Sequence, residues 1–327
     1  MSKEPRIFIL LLNWNGKADT FECLSSLERL NYSNHKIVII DNASSDDSVS
    51  VLQKKYPQIM FLQNEENLGF AEGNNVGIRY ALKEGADFVL LLNNDTIVDP
   101  DLLTSFVKAA RQKPDAGILG AKILRYDQKD TLDHFGGMWN PRTCQFEEKA
   151  KNEKDSPCYE NIEKVDYVCG CAFFISRKVI EKIGLLEAAF FLLWEETDFC
   201  ARARKKGFQV YVAGQAKVWH KISASFVGGK PHTHYYWWRN RLFWIERNLP
   251  SQEKKDAYRI LRKEIVRNYK FSLLKGLQFH LFSPFQSKEW KKKRRIKYLR
   301  YKAGCQGIWD YYRKHMGEGP KWLTKKL

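Results

Sequence analysis

The chain has 327 residues and a formal net charge of +17, with 44% hydrophobic and 14% aromatic residues. That composition excludes wholesale disorder, and the length implies one large domain with an appendage, or two domains. The charge is segregated: residues 201–327 hold 32 basic and 7 acidic residues, whereas residues 1–200 hold 23 and 31. A basic region of this kind meets phosphate on a nucleic acid, a lipid surface or a small substrate.

In chain order, residues 6–13 (RIFILLLN) form a short apolar run that stops at Trp14-Asn15-Gly16. Phe21, Leu24, Leu27 and Leu30 follow at helical spacing. Residues 36–41 (KIVIID) read as a second strand, closed by the turn-forming cluster Asn42 to Asp47, and a helix is expected from about Ser48 to Lys55. A third strand is expected at 59–63, then a Gly/Asn loop (67–75) opening a helix to about Glu84. A fourth strand at 88–92 ends in Asn93-Asn94-Asp95, and a helix start is expected at Asp99-Pro100. Such alternation predicts a mostly parallel sheet with helices on both faces, where ligands sit beyond the carboxyl ends of the strands. Asn13 and Asn15, Asp41 and Asn42, and Asn93 and Asp95 all fall at such ends.

Residues 125–165 are polar and Gly/Pro-rich, so a long loop with a hairpin is expected. Residues 165–176 read as a strand pair or buried strand, followed by a helix at 177–183. A bulky apolar run (190–194) leads into Glu195-Glu196-Thr197-Asp198, and a helix over 197–206 is closed by Gly207. A strand is expected at 208–212 and a helix at 235–248, beyond which basic and aromatic residues alternate. No signal-peptide layout and no apolar stretch long enough to span a bilayer is expected. The seven Cys are sparse, and Cys169 and Cys171 lack the C-x-x-C spacing, so reduced thiols in a cytosolic protein are expected.

Four groups carry chemistry. Asp41-Asn42 could accept the imide N–H of a uracil or thymine, or simply cap a helix. Asp95, with Asn93 beside it, supplies hard oxygen to a divalent ion, or forms a turn. Glu195, Glu196 and Asp198 sit behind a hydrophobic wall where neighbouring carboxylates raise one another's pKa; the bland alternative is an acidic first helical turn, with Asp198 pairing Arg202. His220 could ligate a metal or contact phosphate, or be structural.

Together, LLLNWNG (10–16), VIIDNASSDDS (38–48), NLGFAEGNNVGI (67–78), LLLNNDTIVDPDLL (90–103), CGCAFFISRKVI (169–180), FFLLWEETDFCARARKKG (190–207), VWH (218–220) and YYWWRNRLFW (235–244) resemble an inverting family 2 glycosyltransferase. The narrower resemblance is to its rhamnosyltransferase-like branch, related to galactofuranosyltransferases. It implies a GT-A-type, Rossmann-like α/β fold over residues 1–248, with a basic, mainly helical extension at 249–327. The resemblance implies that Asn13, Asn15, Asp41 and Asn42 hold the nucleotide, with Asn67, Gly69, Gly73 and Asn74 in the nucleotide-side loop. Asn93, Asn94 and Asp95 match a D-x-D motif with one carboxylate missing. The resemblance implies a sugar-proximal loop at Asp133 and Gly136-Gly137 and a nucleotide-sugar-binding Gly170, and Arg239-Asn240 match an R-N pair. Glu196 matches the catalytic base, although Glu195 also comes into question because the motif reads Glu-Glu-Thr-Asp. Asp95, His220 and Asn93 would hold Mg²⁺ or Mn²⁺.

The implied activity moves a sugar, rhamnose by preference, from a nucleotide-diphospho-sugar to a glycan or polyprenyl-diphosphate-linked acceptor in cell-surface polysaccharide synthesis. Trp237, Trp238, Trp244, Phe271, Phe282, Phe285 and Trp290 among Lys and Arg lead to the expectation of an anionic membrane surface, on the inner face of the cell membrane. A nucleic-acid-binding role would use the same basic tail, but no known motif supports it. An NAD-dependent enzyme would carry G-x-G-x-x-G after the first strand, where Asn13-Trp14-Asn15-Gly16 stands, and a nucleotidyltransferase would carry a basic phosphate loop there.

Overall fold

The computed structural model describes residues 4–221, 230–282 and 287–323. Their contacts divide the chain into two compact units. The first takes the described residues of Met1–Met138, Phe146–Ala188 and Glu195–Ile222; the second takes Trp139–Gln145, Ala189–Trp194 and those of Ser223–Leu327. The sequence reading put residues 231–248 with the catalytic domain, whereas by contacts they belong with the helices that follow.

The first unit is built on four parallel strands: β1 (Ile7–Asn13), β2 (His35–Asp41), β3 (Met60–Gln63) and β4 (Phe88–Asn93). Their near-continuous apolar runs are buried on both faces. Ile7, Ile9 and Leu11 point into one core with Cys23, Leu24, Leu52 and Phe106, while Phe8 and Leu10 point into the other with Ala71, Ile78 and Phe199. The first core is closed by α1 (Lys17–Leu27), α2 (Ser48–Lys55) and α4 (Leu102–Gln112). The second is closed by α3 (Gly69–Lys83), α5 (Arg177–Ile183) and α6 (Glu195–Lys205).

Beyond β4 the sheet becomes mixed. The short β5 (Thr96–Val98) follows β4, and β6 (Ala116–Arg125) follows α4. In the expected loop region stand β7 (Leu132–His134), the paired β8 (Gly137–Asn140) and β9 (Gln145–Glu148), and β10 (Ile162–Val165). Then come β11 (Ala172–Ser176) and β12 (Gln209–His220), giving the order β10-β12-β6-β11-β4-β1-β2-β3. Only β11 and β10 in that path run antiparallel to their neighbours.

Besides the short β5, β7 and β10, two long strands depart from the sequence reading. β6 was not expected, because Gly117, Gly120 and Lys122 break its apolar pattern. Gly120 is required there, since a Cβ would stand 2.4 Å from Val168 Cβ. Lys122 is fully buried, and its Nζ donates to Asp155 at 2.6 Å. β12 does not stop at residue 212. It passes through a register shift between Ala213 and Lys217 and continues to His220, pairing β6 on one side and β5 on the other.

The second unit is helical, with α7 (Pro231–Asn248), α8 (Ser251–Phe282) and α9 (Lys288–Tyr312). α7 and α9 approach closely: a Cβ on Gly307 would lie 2.3 Å from the Tyr235 carbonyl oxygen. Tyr235 Oη donates to Asp310 Oδ2 at 2.7 Å. Trp238 and Trp244 are buried, Trp244 against Trp139 and Trp194. That withdraws both from the lipid contact expected of them. Phe285 and the Phe282 side chain lie outside the described residues.

Candidate active site

The carboxyl ends of β1, β2 and β4 converge because their register aligns Asn13 with Asp41 and Leu12 with Asn93. Asn13 is fully buried and organises this edge. Its Nδ2 donates to Asp41 Oδ1 at 2.9 Å and to Ser48 Oγ at 3.1 Å. Its Oδ1 lies 3.0 Å from Thr20 Oγ and accepts from Asn94 Nδ2 at 3.3 Å. Asp41 also accepts the Ser44 hydroxyl at 2.6 Å on Oδ1 and the Ser44 N–H at 2.9 Å on Oδ2. A carboxylate has about four acceptor positions, so one remains on Oδ2.

Asn15 stands at φ 53°, a left-handed conformation that Asn tolerates. Its Oδ1 accepts the N–H groups of Ser45 and Asp46, which ties the loop after β1 to the loop after β2. Asn42 reaches the other way. Its Nδ2 donates to Asn67 Oδ1 at 2.8 Å and to the Gly69 carbonyl at 3.1 Å, and its Oδ1 accepts from Asn64. Gly73 leaves room for this, since a Cβ would lie 2.7 Å from Leu12 Cδ1 and 3.3 Å from Asn42 Nδ2. Asn74 donates to the Phe70 carbonyl within α3. Thr20, Ser44, Ser48 and Asn64 complete the network and were missed in the sequence. Only Ser44 leaves a local trace, as a hydroxyl three residues after the Asp it caps.

A second cluster forms where β12 meets β5. His220 pairs with Thr96, and the Lys221 N–H donates to the Asp95 carbonyl. His220 Nε2 thereby lies 3.3 Å from Asp95 Oδ1 and Nδ1 lies 3.4 Å from Asp133 Oδ2, on β7. Burial disfavours the imidazolium, but hydrogen bonds to Asp133 and Asp95 outweigh it and raise the pKa to about 9. Asn94 links this cluster to the first through Asn13 and Thr20. Asn93 ends β4, with its backbone bonded to Cys171 and Thr96. Among the described residues no group of three or more His, Cys, Asp or Glu is arranged to hold a metal ion.

The third cluster is the start of α6. Glu195 is buried, and its Oε2 has no hydrogen-bond partner among the described residues. Burial, and then the charge of Glu196, push its pKa well above the usual carboxylate range. Glu196 is half-buried beside Gly170, where a Cβ would stand 4.0 Å from Glu196 Cβ and 3.2 Å from Phe70 Cζ. Segment 169–171 lies between the acids of the second and third clusters. The Cys169 thiol is raised by burial and then by Glu196 and Asp133, and Cys171 by burial and then by Cys169, Asp95 and Asp133. All seven cysteines are free thiols.

Asp198 is engaged elsewhere: it accepts from Arg202 Nε at 2.7 Å, and Arg202 in turn holds the Ile183 and Leu185 carbonyls. Arg239 and Asn240 belong to the second unit, fully buried. Asn240 Nδ2 donates at 2.8 Å to the carbonyls of Phe190, Leu192 and Leu193, and Arg239 donates to those of Phe190 and Gly317.

Comparison with known proteins fits this arrangement. Residues 8–184 match the model of glycosyl transferase family 2. The chain is 26% identical over 211 residues to the low-salt glycan biosynthesis hexosyltransferase Agl10 of Haloferax volcanii, covering 64% of each chain. It is 22% identical over 254 residues to the dTDP-rhamnosyl transferase RfbF of Shigella flexneri, covering 74% of this chain and 80% of that one. An N-acetylglucosaminyl-diphospho-decaprenol L-rhamnosyltransferase of Mycobacterium tuberculosis is 25% identical over 253 residues, with 64% and 79% covered. Among solved structures, the Pyrobaculum calidifontis mannosyltransferase PcManGT, in complex with GDP-Man and Mn²⁺, superimposes with a TM-score of 0.58 at 13% identity, covering 94% and 88%. Residues 1–349 of S. aureus TarS with UDP-GlcNAc give 0.54 at 14% identity, covering 94% and 92%. These likenesses show the expected GT-A-type fold. With over half its length matched by the family model, the chain belongs to glycosyl transferase family 2.

Proposed function

We propose that this protein is an inverting glycosyltransferase. In this reading it moves rhamnose from a nucleotide-diphospho-sugar to a glycan or polyprenyl-diphosphate-linked acceptor in cell-surface polysaccharide synthesis. The observation that carries the reading is the convergence of three clusters, with Asp41 at one end, Asp95, His220 and Asp133 between, and Glu196 beside Gly170. Two relatives are named for rhamnosyl transfer, one of them with a decaprenol-linked substrate in its name, which supports the choice of sugar and acceptor.

The base and ribose lie over the β1–β2 edge, where the remaining acceptor position of Asp41 meets a donor N–H and the Asn42 network fixes the loop before α3. The anomeric carbon is assigned to the neighbourhood of Gly170, where Glu196 and Phe70 lie close to the main chain. Glu195 keeps its proton because it is buried, so Glu196 is the base. Glu196 takes the proton of the acceptor hydroxyl as that oxygen attacks the anomeric carbon, and the bond to the nucleoside diphosphate breaks on the opposite face. Asp95 offers a hard oxygen, and His220 Nε2, 3.3 Å away, would become a ligand only by giving up its proton as an ion binds; the ion's other ligands would be diphosphate oxygens and water. A bound Mg²⁺ or Mn²⁺ there would neutralise charge on the departing diphosphate. In this reading a lipid-linked acceptor is met at the cytoplasmic face of the membrane; no helix among the described residues is long and apolar enough to cross one.

Incubation with a panel of nucleotide sugars, reading nucleoside diphosphate release, tests the donor. Glu196→Gln is expected to abolish transfer while leaving nucleotide affinity within about twofold; near-wild-type transfer by this variant would refute the base assignment.

A further inference from the structure

α8 buries Ala257 and Leu261 in its first turns and sets the Phe271 and Phe279 rings against Tyr301 and Tyr298 of α9, but leaves a second apolar face uncovered among the described residues. On the side facing α9 it buries Asn268 and Gly276, with Asn268 Nδ2 donating to the Tyr301 carbonyl and Gly276 lying against the Tyr298 ring. On the other side Val266, Leu273, Leu277 and Leu281 stand 60%, 66%, 49% and 64% exposed, with Leu274 next to them. Their spacing of seven, four and four residues makes one stripe about 23 Å long at 1.5 Å per residue. Exposed apolar stripes of this extent mark contact surfaces in soluble chains.

The stripe is bordered by cations and is interrupted by one, Lys270, which sits between Val266 and Leu273 on the same face. Arg262, Lys263, Arg267 and Lys270 are all exposed. Between Arg259 and Phe282 there are six basic residues and one acid, Glu264, and that acid already accepts from Arg241 at 2.9 Å. A second copy of this helix would bring like charges together, whereas an anionic headgroup layer complements them. The helix also carries too much charge to span a bilayer.

We infer that α8 lies in the plane of an anionic lipid surface, with the Val266–Leu281 stripe among the acyl chains and the flanking Arg and Lys at the headgroups. This deepens the membrane part of the function proposed above and rests on it, but moves the contact from the tryptophans to the leucines. The catalytic unit then meets a lipid-linked acceptor as a surface reactant, and acceptor turnover depends on the lipid.

The test uses the full chain and the double variant Leu273→Glu/Leu277→Glu, two exposed positions whose replacement leaves the cores untouched. Both are mixed with vesicles of phosphatidylglycerol and phosphatidylcholine, or of phosphatidylcholine alone, at 0.15 M salt and without donor. Wild type is expected to co-sediment with the anionic vesicles, more weakly with neutral ones, and the double variant at least about tenfold less. Absence of wild-type binding, or equal binding by the variant, overturns the inference. So does a dimer in lipid-free solution that the variant abolishes, because a second copy then covers the stripe. Nucleoside diphosphate release from the same preparations is read separately, so a failed donor assay and a failed lipid assay cannot be confused.

Discussion

Asn240→Ala should loosen a strained segment that ends at Glu195. Residues Phe191, Leu193 and Trp194 hold φ values of 63°, 71° and 78°, a left-handed conformation that bulky side chains disfavour. The Asn240 amide holds the segment by donating to the carbonyls of Phe190, Leu192 and Leu193 and by accepting from Arg239 Nε at 2.9 Å. Alanine leaves Phe190 with its bond from Arg239, but it takes a buried partner from the Leu192 and Leu193 oxygens and from one guanidinium N–H. Each loss is worth about 1–3 kcal/mol. The three losses together come to about 6 kcal/mol; partial relaxation of the three left-handed residues, at about 1 kcal/mol each, returns about half of that, so the net destabilisation expected is about 3 kcal/mol. For a unit of this size that lowers Tm by about 10 °C. Calorimetry reads the shift, and hydrogen exchange at the amides of 190–194 should speed up in parallel. A Tm within about 2 °C of wild type with unchanged exchange would show that the clamp carries no load.

Gly307→Ala forces a Cβ to within 2.3 Å of the Tyr235 oxygen and 3.3 Å of the Arg239 nitrogen, both main-chain atoms, so α7 and α9 must part. Urea denaturation should show a loss of about 2 kcal/mol, and an unchanged midpoint would refute the close approach. Glu195→Gln tests the buried acid through its pH dependence. The folded pKa of Glu195 is raised, so its stabilising contribution is complete below the unfolded value of about 4.3 and drains away as pH rises towards the folded one. The Tm of the variant relative to wild type should therefore climb between pH 4 and pH 8, and a difference independent of pH would sink the assignment.

The parallel half of the sheet was legible because β1, β2 and β4 are buried on both faces and so read as unbroken apolar runs. β6 was invisible for the opposite reason. Gly120 answers to Val168, 48 positions away along the chain, and Lys122 to Asp155; neither partner is implied by local pattern. The end of β12 was hidden by Gly214-Gln215-Ala216-Lys217, which reads as a loop. Gly214 instead lets the strand pass under the Tyr159 carbonyl, where a Cβ would come within 2.2 Å.

The site divides along the same line. Asn13, Asp41 and Asp95 follow apolar strands directly, so their place at the carboxyl edge followed from strand geometry alone. His220 acquires its neighbours only through the register shift that brings it opposite Thr96, and Asp133 only through the short β7 that pairs with β6. Aromatic residues on a helix carry no such directional signal. Trp238 and Trp244 were placed at a lipid surface from composition, and are buried because Trp139 and Trp194, far off in sequence, supply rings for Trp244. The leucines of α8 would ordinarily be assigned to a core by their spacing, but α9 meets Asn268, Gly276 and the Phe271 and Phe279 rings instead. The same physics thus cuts both ways: apolar side chains go where apolar surface is offered, and where the described residues offer none, as along the α8 stripe, the proposed lipid surface would supply it.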